Sequence, residues 1–440
     1  MSAGAAEQQR APVVASSFGD YVRQARASGR LVVQPRMGFG DPEMMRAGLL
    51  ATKQVGGATV GTLTLDSYTR VGDHDAALRA LADGAPLNGY PIVSHSAATT
   101  RAVLHGIHGP DFPVQVRHGA ARPERIIEAA IAAGLSATEG GPASYCLPYG
   151  RVPLRDALVS WRRACELLVA ASRAGVQPHL ESFGGCMMGQ LCPPGLLVAI
   201  TVLEALFFVQ EGLHSVSVSY TQQANPAQDE EAILALHRIA SELLVGADWH
   251  IVLYTYMGAY PRTPGGARLL GRRAAELAMR TGVARLLVKT QAEAFRIPTV
   301  ADNVAALTDA AAVARRAGPP VAVDSGRDSA VHTEARLLID TVLDLDADVG
   351  RAIVTAFERG ILDVPFCIHP DNAGLSRSYI ESDGRLAWSD GGRMPIVTRG
   401  DRSRRLSSDG LLRALTHIQR ECDRLAATGP PSDGAEPLPC

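Results

Sequence analysis

The chain has 440 residues, 46% of them hydrophobic and 20% charged, and a formal net charge of −2. That is enough for one large domain with an appendage, or for two domains, around a sizeable core. The charge balance gives no reason to expect nucleic acid or an anionic membrane as partner. No apolar run reaches the ~18 residues of a membrane span, and the opening MSAGAAEQQRAP lacks the n- and h-regions of a signal peptide.

In chain order, residues 1–30 read as a short N-terminal arm. Short β-branched segments then alternate with helical patterns: LVVQP (31–35), ATVGTLTLD (58–66), PIVSH (91–95), FPVQVRHG (112–119), PHLESFGG (178–185), SVSVSYT (215–221), WHIVLYTYMG (249–258) and RLLVKT (285–290). Between them, RPERIIEAAIAAG and LRDALVSWRRACELLVAASRAG repeat apolar residues three and four apart and end on glycine, as helices do. This alternation over residues 31–320 predicts parallel strands, right-handed crossovers and a (β/α)8 TIM barrel, with a doubly wound open sheet as the alternative. ATEGG (137–141) is a ninth candidate. Its glycines argue against an ordinary strand, yet it stands where the fifth strand is due, so one of the nine must lie outside the barrel. Residues 321–425 read as a smaller C-terminal extension in which the pattern loosens, with loops and short strands over 365–396, and 426–440 as a disordered tail.

Barrel chemistry sits at the C-terminal strand ends. Those ends carry Arg36 after the first strand, Arg70 after the second, Arg117 and His118 after the fourth, Glu139, Tyr145 and Tyr149 in the stretch ATEGGPASYCLPYG, and Lys289 and Glu293 after the last. Clustered arginines are costly unless anions fill the space between them, and each guanidinium can grip a carboxylate through two parallel hydrogen bonds. The arginines outnumber Glu139, so a ligand with two carboxylates and one ammonium fits, with Glu139 facing the ammonium. The plainer alternative is that each arginine caps its own loop or pairs with a surface acid.

Other signals are weaker. His118 has no second histidine at ligand spacing, and His179 with Glu181 lacks a third partner, so no metal site is expected. Tyr254 and Tyr256 flank Thr255 in an ordinary strand alternation. No G-x-G-x-x-G or P-loop joins a strand to a helix. The seven cysteines are scattered without a CxxC pair, which fits reduced thiols in a cytoplasm. Lys53 and Lys289 are the only lysines among 43 basic residues, so each lysine position is noteworthy.

PRMGFGDPE, LTLDSYTR, LNGYPIVSHS, QVRHG, ATEGGPASYCLPY, HLESFGG, GQLCPP and VKTQAEAFRIPT occur in this order. From about residue 31 to about residue 395 they resemble the large, epsilon subunit of methylaspartate mutase, also called glutamate mutase. The resemblance implies a barrel over adenosylcobalamin that interconverts L-glutamate and (2S,3S)-3-methylaspartate by a radical carbon-skeleton rearrangement. It implies substrate contacts at Arg36, Arg70, Arg117, His118, Glu139, Tyr145 and Tyr149, with Glu139 also a catalytic base. It implies cofactor contacts at Gly38, Ser94, Pro148, Tyr260, Lys289, Glu293 and Ile297. Ser94 departs from the family, which has asparagine there. The D-x-H-x-x-G motif whose histidine binds cobalt is missing; Asp248-Trp249-His250 is the nearest look-alike and lacks the glycine. A separate small cobalamin-binding subunit is therefore implied, in an assembly of two large and two small subunits. The alternative is a paralogue with another amino-acid substrate, or a non-catalytic barrel subunit.

Overall fold

A computed structural model describes residues 17–148, 150–173, 177–187, 191–317, 329–398 and 407–428. Nine parallel strands build the central sheet: β1 (Val32–Pro35), β2 (Ala58–Thr59), β3 (Gly61–Thr64), β4 (Val114–Arg117), β5 (Ala137–Gly140), β6 (His179–Ser182), β7 (Ser215–Thr221), β8 (Asp248–Tyr254) and β9 (Arg285–Val288). Their order is β2-β1-β9-β8-β7-β6-β5-β4-β3. Only Val60 separates β2 from β3, so one extended segment pairs with β1 through its first half and with β4 through its second. The two form a single stave, and the ring is a (β/α)8 barrel. Thr64 N–H donates to the Met37 carbonyl at 2.9 Å across this seam. A Cβ at Gly38 would collide with the Thr64 carbonyl, so glycine is what lets the seam close.

The surplus candidate is PIVSH. Residues 91–95 turn back at once, Ser94 and His95 N–H both donating to the Pro91 carbonyl at 2.9 Å. ATEGG is β5, and its glycines serve close approach. A Cβ at Gly140 would meet the Trp161 ring, and one at Gly141 the Glu204 carboxyl group.

Side chains alternate along each strand, and the inward set is polar. Gln34 Nε2 donates to Thr62 Oγ1 at 2.9 Å and to Gln115 Oε1 at 2.8 Å. Arg285, fully buried, pairs with Glu181 and donates to Gln34. At the floor, His179 bonds Ser215 at 2.9 Å and Ser217 at 3.0 Å. Phe18 from the helix Phe18–Ala27 stacks on that imidazole at 5.1 Å. The N-terminal segment thus plugs the end opposite the candidate site.

The apolar core lies between strands and helices. The helix Pro194–Gln210 is apolar nearly all round because it is covered from both sides. Strands β6 and β7 lie on one side, and helices Ala330–Leu343 and Val349–Arg359 on the other. Burying Phe207 and Phe208 there contributes about 1.5–3 kcal/mol each. Beyond the barrel the sequence reading missed these two amphipathic helices. It did anticipate short strands, found as the antiparallel hairpin β10 (Arg377–Ile380) and β11 (Leu386–Asp390). Residues 426–428 end the helix His417–Thr428; the remainder of the expected tail lies outside the described residues. The six described cysteines are buried and unpaired. Among the described residues no helix is long and apolar enough to cross a membrane.

Candidate active site

The loop after β5 carries Tyr145 and is pinned from two sides. Beneath it, Glu204 is the only charged residue in the helix Pro194–Gln210. Its Oε1 accepts from Ala143 N–H at 3.1 Å and Ser144 N–H at 2.8 Å, and its Oε2 from the Ser144 and Ser182 hydroxyls at 2.8 and 3.0 Å. From the C-terminal extension, Asp371 accepts Leu154 N–H at 2.6 Å and His369 Nε2 meets the Val152 carbonyl at 3.1 Å. Burial pushes the Glu204 carboxyl up to about 7, against the pull of its hydrogen bonds. Since that folded value exceeds the ordinary 4.5, folding favours the protonated form. The stability it contributes is full below about pH 4.5 and lost as pH rises through about 7.

Glutamine has the same shape and cannot ionise. Glu204→Gln should therefore lose less stability than wild type between about pH 5 and pH 8, by on the order of 1–3 kcal/mol. Asp229 and Glu334, also pushed by burial to about 7, leave a residual slope. Urea midpoints across that range check this; an unchanged slope would contradict it.

Glu139, on β5, is 1% exposed. Arg117 Nε on β4 donates to its Oε2 at 2.7 Å, the Tyr254 hydroxyl to the same oxygen at 2.7 Å, and the Tyr145 hydroxyl to Oε1. The sequence reading left Glu139's partner to a ligand; the fold supplies three internal donors. Arg117 also reaches the Tyr254 hydroxyl at 3.3 Å and lies over that ring. Burial opposes its charge, but Glu139, Tyr254 and Tyr145 together outweigh that and hold the guanidinium well above its ordinary value.

His118 stacks on Trp161 at 5.8 Å and meets Tyr145 edge-on at 5.1 Å. Burial, aided by Arg70 and Arg117, pushes its imidazole down to about 3, so it is neutral. Nδ1 accepts Ala120 N–H at 3.0 Å, which places the proton on Nε2. That Nε2 is buried and meets no partner among the described residues. It is an unspent donor beside the arginines. Arg70 donates Nε to its own Leu65 carbonyl at 2.9 Å. It is held below the ordinary arginine value by burial first, then by Arg36 and Arg117.

The β9 end forms a second cluster. Glu293 Oε2 meets Arg36 Nη1 at 3.3 Å and Lys289 Nζ at 3.4 Å, while its Oε1 is buried without a partner among the described residues. Lys289 sits 4.6 Å over the Tyr260 ring. Burial lowers its ammonium, and Glu293 opposes that. The Ser94 hydroxyl is likewise buried without a partner among the described residues, in the turn that replaced the expected strand. Pro148 is half-buried at the end of the Tyr145 loop, Ile297 is 57% exposed beyond Glu293, and Tyr149 lies outside the described residues.

Sequence reasoning missed Tyr254, Glu181 and Arg285. The Tyr254 hydroxyl also meets Glu181, which Arg285 holds. The signal was the register: Glu139 lies opposite Glu181 on neighbouring strands, and like charges so placed need donors between them. Among the described residues no group of three or more His, Cys, Asp or Glu could hold a metal ion. His250, of the D-x-H look-alike, is buried on β8 beside Arg285 at 3.4 Å.

A closed parallel barrel thus gathers more cations than carboxylates at its mouth, around hydroxyl and imidazole donors, a lining with the chemistry to hold a small anion. The sequence profile described as "Methylaspartate mutase E chain" matches residues 14–407, and this chain belongs to that family. It is 31% identical over 367 residues to a glutamate mutase epsilon subunit of Halobacterium salinarum, covering 81% of this chain and 76% of the relative. It is 30% identical over 409 residues to the protein of that name in Yersinia enterocolitica, covering 89% and 84%. The Desulfitobacterium hafniense protein of the same name is 29% identical over 399 residues, covering 86% and 81%.

Proposed function

We propose that this chain is the large subunit of an adenosylcobalamin-dependent mutase that interconverts L-glutamate and (2S,3S)-3-methylaspartate. The observation that carries this reading is the charge surplus: Arg36, Arg70, Arg117 and Lys289 outnumber Glu139, Glu293 and the buried Asp66, with the unspent His118 Nε2–H beside them. A dicarboxylate offsets that surplus. Arg36, Arg70, Arg117 and His118 grip its two carboxylates. Glu139, Tyr145 and Tyr149 face its ammonium, and Glu139 takes a proton from it as a base. Holding both ends fixed keeps the two halves of a rearranging skeleton in reacting distance, an effect worth about 7–11 kcal/mol at its best.

The residues of the second cluster fit the cofactor. Glu293 Oε1 and the Ser94 hydroxyl are buried polar atoms with no partner among the described residues, which a ligand's ribose hydroxyls and amides would satisfy. Gly38, Pro148, Lys289, Tyr260 and Ile297 complete that surface. When bound, the cofactor supplies the radical that abstracts substrate hydrogen; the barrel keeps solvent from it. With no D-x-H-x-x-G in the chain, cobalt ligation falls to a small partner subunit, in a cytoplasmic assembly of two large and two small chains.

The test is reconstitution with a family small subunit, adenosylcobalamin and L-glutamate, following 3-methylaspartate by proton NMR. Turnover is expected only with every component present. Turnover by this chain without a second polypeptide, or none from the complete system, would contradict the reading.

A further inference from the structure

Strand β8 leaves the barrel through residues 255–263, a loop that carries the Tyr260 ring to Lys289. Among the described residues, the hydrogen bonds of residues 257–262 run to a single element, the helix His417–Thr428. Gln419 Nε2 donates to the Tyr260 carbonyl at 2.7 Å, and Asp423 Oδ2 accepts Arg262 N–H at 2.9 Å. Asp423 Oδ1 accepts Thr263 N–H at 2.9 Å and the Thr263 hydroxyl at 2.6 Å. Thr263 in turn caps the helix Pro264–Arg280, its hydroxyl oxygen accepting Gly266 N–H at 3.0 Å. Apolar contact continues the attachment. Ile418 and Cys422 pack with Tyr256 and Tyr260, and Ala294, next to Glu293, packs against the same cluster. Two glycines make room for the approach. A Cβ at Gly266 would collide with Asp423 Oδ1, and one at Gly265 would press on Ala426. The family profile match ends at residue 407, before this helix begins, so its role is read from contacts alone.

We propose that the helix His417–Thr428 is a clamp that holds the Tyr260 ring against Lys289, with Asp423 and Gln419 as its positioning residues. A loop with no hydrogen bonds of its own samples many backbone conformations. Fixing its polar backbone groups from outside, and burying Tyr256 and Tyr260 against the helix, selects one. Lys289 benefits directly. Its ammonium lies 4.6 Å over the Tyr260 ring face, where the π electrons attract it, and Glu293 meets it at 3.4 Å. The clamp therefore fixes an aromatic face, a cation and a carboxylate relative to one another at the end of β9. That this trio faces the cofactor rests on the mutase reading, whereas the clamp does not.

Hydrogen–deuterium exchange of the purified chain, free of cofactor and substrate, tests the clamp. Asp423→Ala should speed exchange in peptides covering residues 257–266 about tenfold or more, because the Arg262 and Thr263 amides lose their acceptor. Asp423→Asn keeps the Oδ1 acceptor and should fall between Asp423→Ala and wild type. Peptides of β8 and β9 should exchange as in wild type. Unchanged exchange at 257–266, or faster exchange through β8 and β9 as well, overturns the proposal. In the assembly with a small subunit, Asp423→Ala should weaken adenosylcobalamin binding about tenfold by equilibrium dialysis, and raise its KM alike, while the glutamate KM stays at the wild-type value. Tyr260→Ala should weaken the same binding, and the double variant no further, because Asp423 acts through Tyr260. Unchanged cofactor binding in Asp423→Ala, or losses that multiply in the double variant, overturns the positioning role. The expected exchange pattern alongside no turnover by the complete wild-type system would leave the clamp standing and remove the mutase reading.

Discussion

Arg117→Lys should lower the maximal rate of the assembled enzyme by about ten- to a hundredfold while leaving the folded yield close to wild type. Arg117 Nε lies 2.7 Å from Glu139, and Nη2 lies 3.3 Å from the Tyr254 hydroxyl. Among the described residues Nη1 makes no such contact, and the mutase reading gives it a substrate carboxylate. Lysine keeps the charge that Glu139 requires, but a single ammonium cannot span these partners from one position. Arg117→Met is the harsher change. It would leave Glu139 buried with only hydroxyl donors and cost stability of about 3–5 kcal/mol, so the lysine variant separates chemistry from folding. Steady-state kinetics with a parallel urea titration decide the matter. Wild-type turnover in Arg117→Lys would show that Arg117 holds Glu139 in place and does nothing for the substrate.

Arg285→Gln should have the largest effect on stability, about 3–5 kcal/mol, a large share of the ~5–15 kcal/mol that holds an ordinary domain together. Arg285 and Glu181 are both 0% exposed. Removing the guanidinium strands a carboxylate next to Glu139, and also removes donors to Gln34, Gln115 and Ser217. The double variant Arg285→Met, Glu181→Leu removes both charges at once. It should recover most of that loss, since apolar replacement of a buried pair is often neutral, while the barrel interior loses its link to Tyr254. Urea midpoints of the single and double variants make the comparison. If Arg285→Gln matched wild type, the buried pair would carry no structural role.

The barrel was legible because period-two strands and helical spacing are local patterns. So was the cation-rich mouth, because strand ends are where a barrel puts chemistry. Two local signals misled. Pro-Ile-Val at 91–93 has strand composition but falls in a turn held by Pro91. Gly140 and Gly141 look like breakers, yet they mark where Trp161 and Glu204 press against the chain. What stayed hidden depends on register. Tyr254 reads as ordinary alternation until Glu139 and Glu181 are known to lie side by side. Glu204 was accessible in principle: a lone acid in PGLLVAITVLEALFFVQ needs donors, and the serine-bearing loop after β5 provides them.

On the mutase reading, the surplus of cations at the barrel mouth holds two carboxylates of one small substrate. The most direct measurement is the ratio of kcat/KM for L-glutamate to that for L-glutamine in the assembled wild-type enzyme. Glutamine keeps the shape, the ammonium and the α-carboxylate, and replaces only the second anion with a neutral amide. A preference for glutamate of about tenfold to more than a hundredfold is expected, the worth of one charged hydrogen-bonded pair. Equal use of the two would contradict it, because Arg36, Arg70 and Arg117 would then not be reading a dicarboxylate.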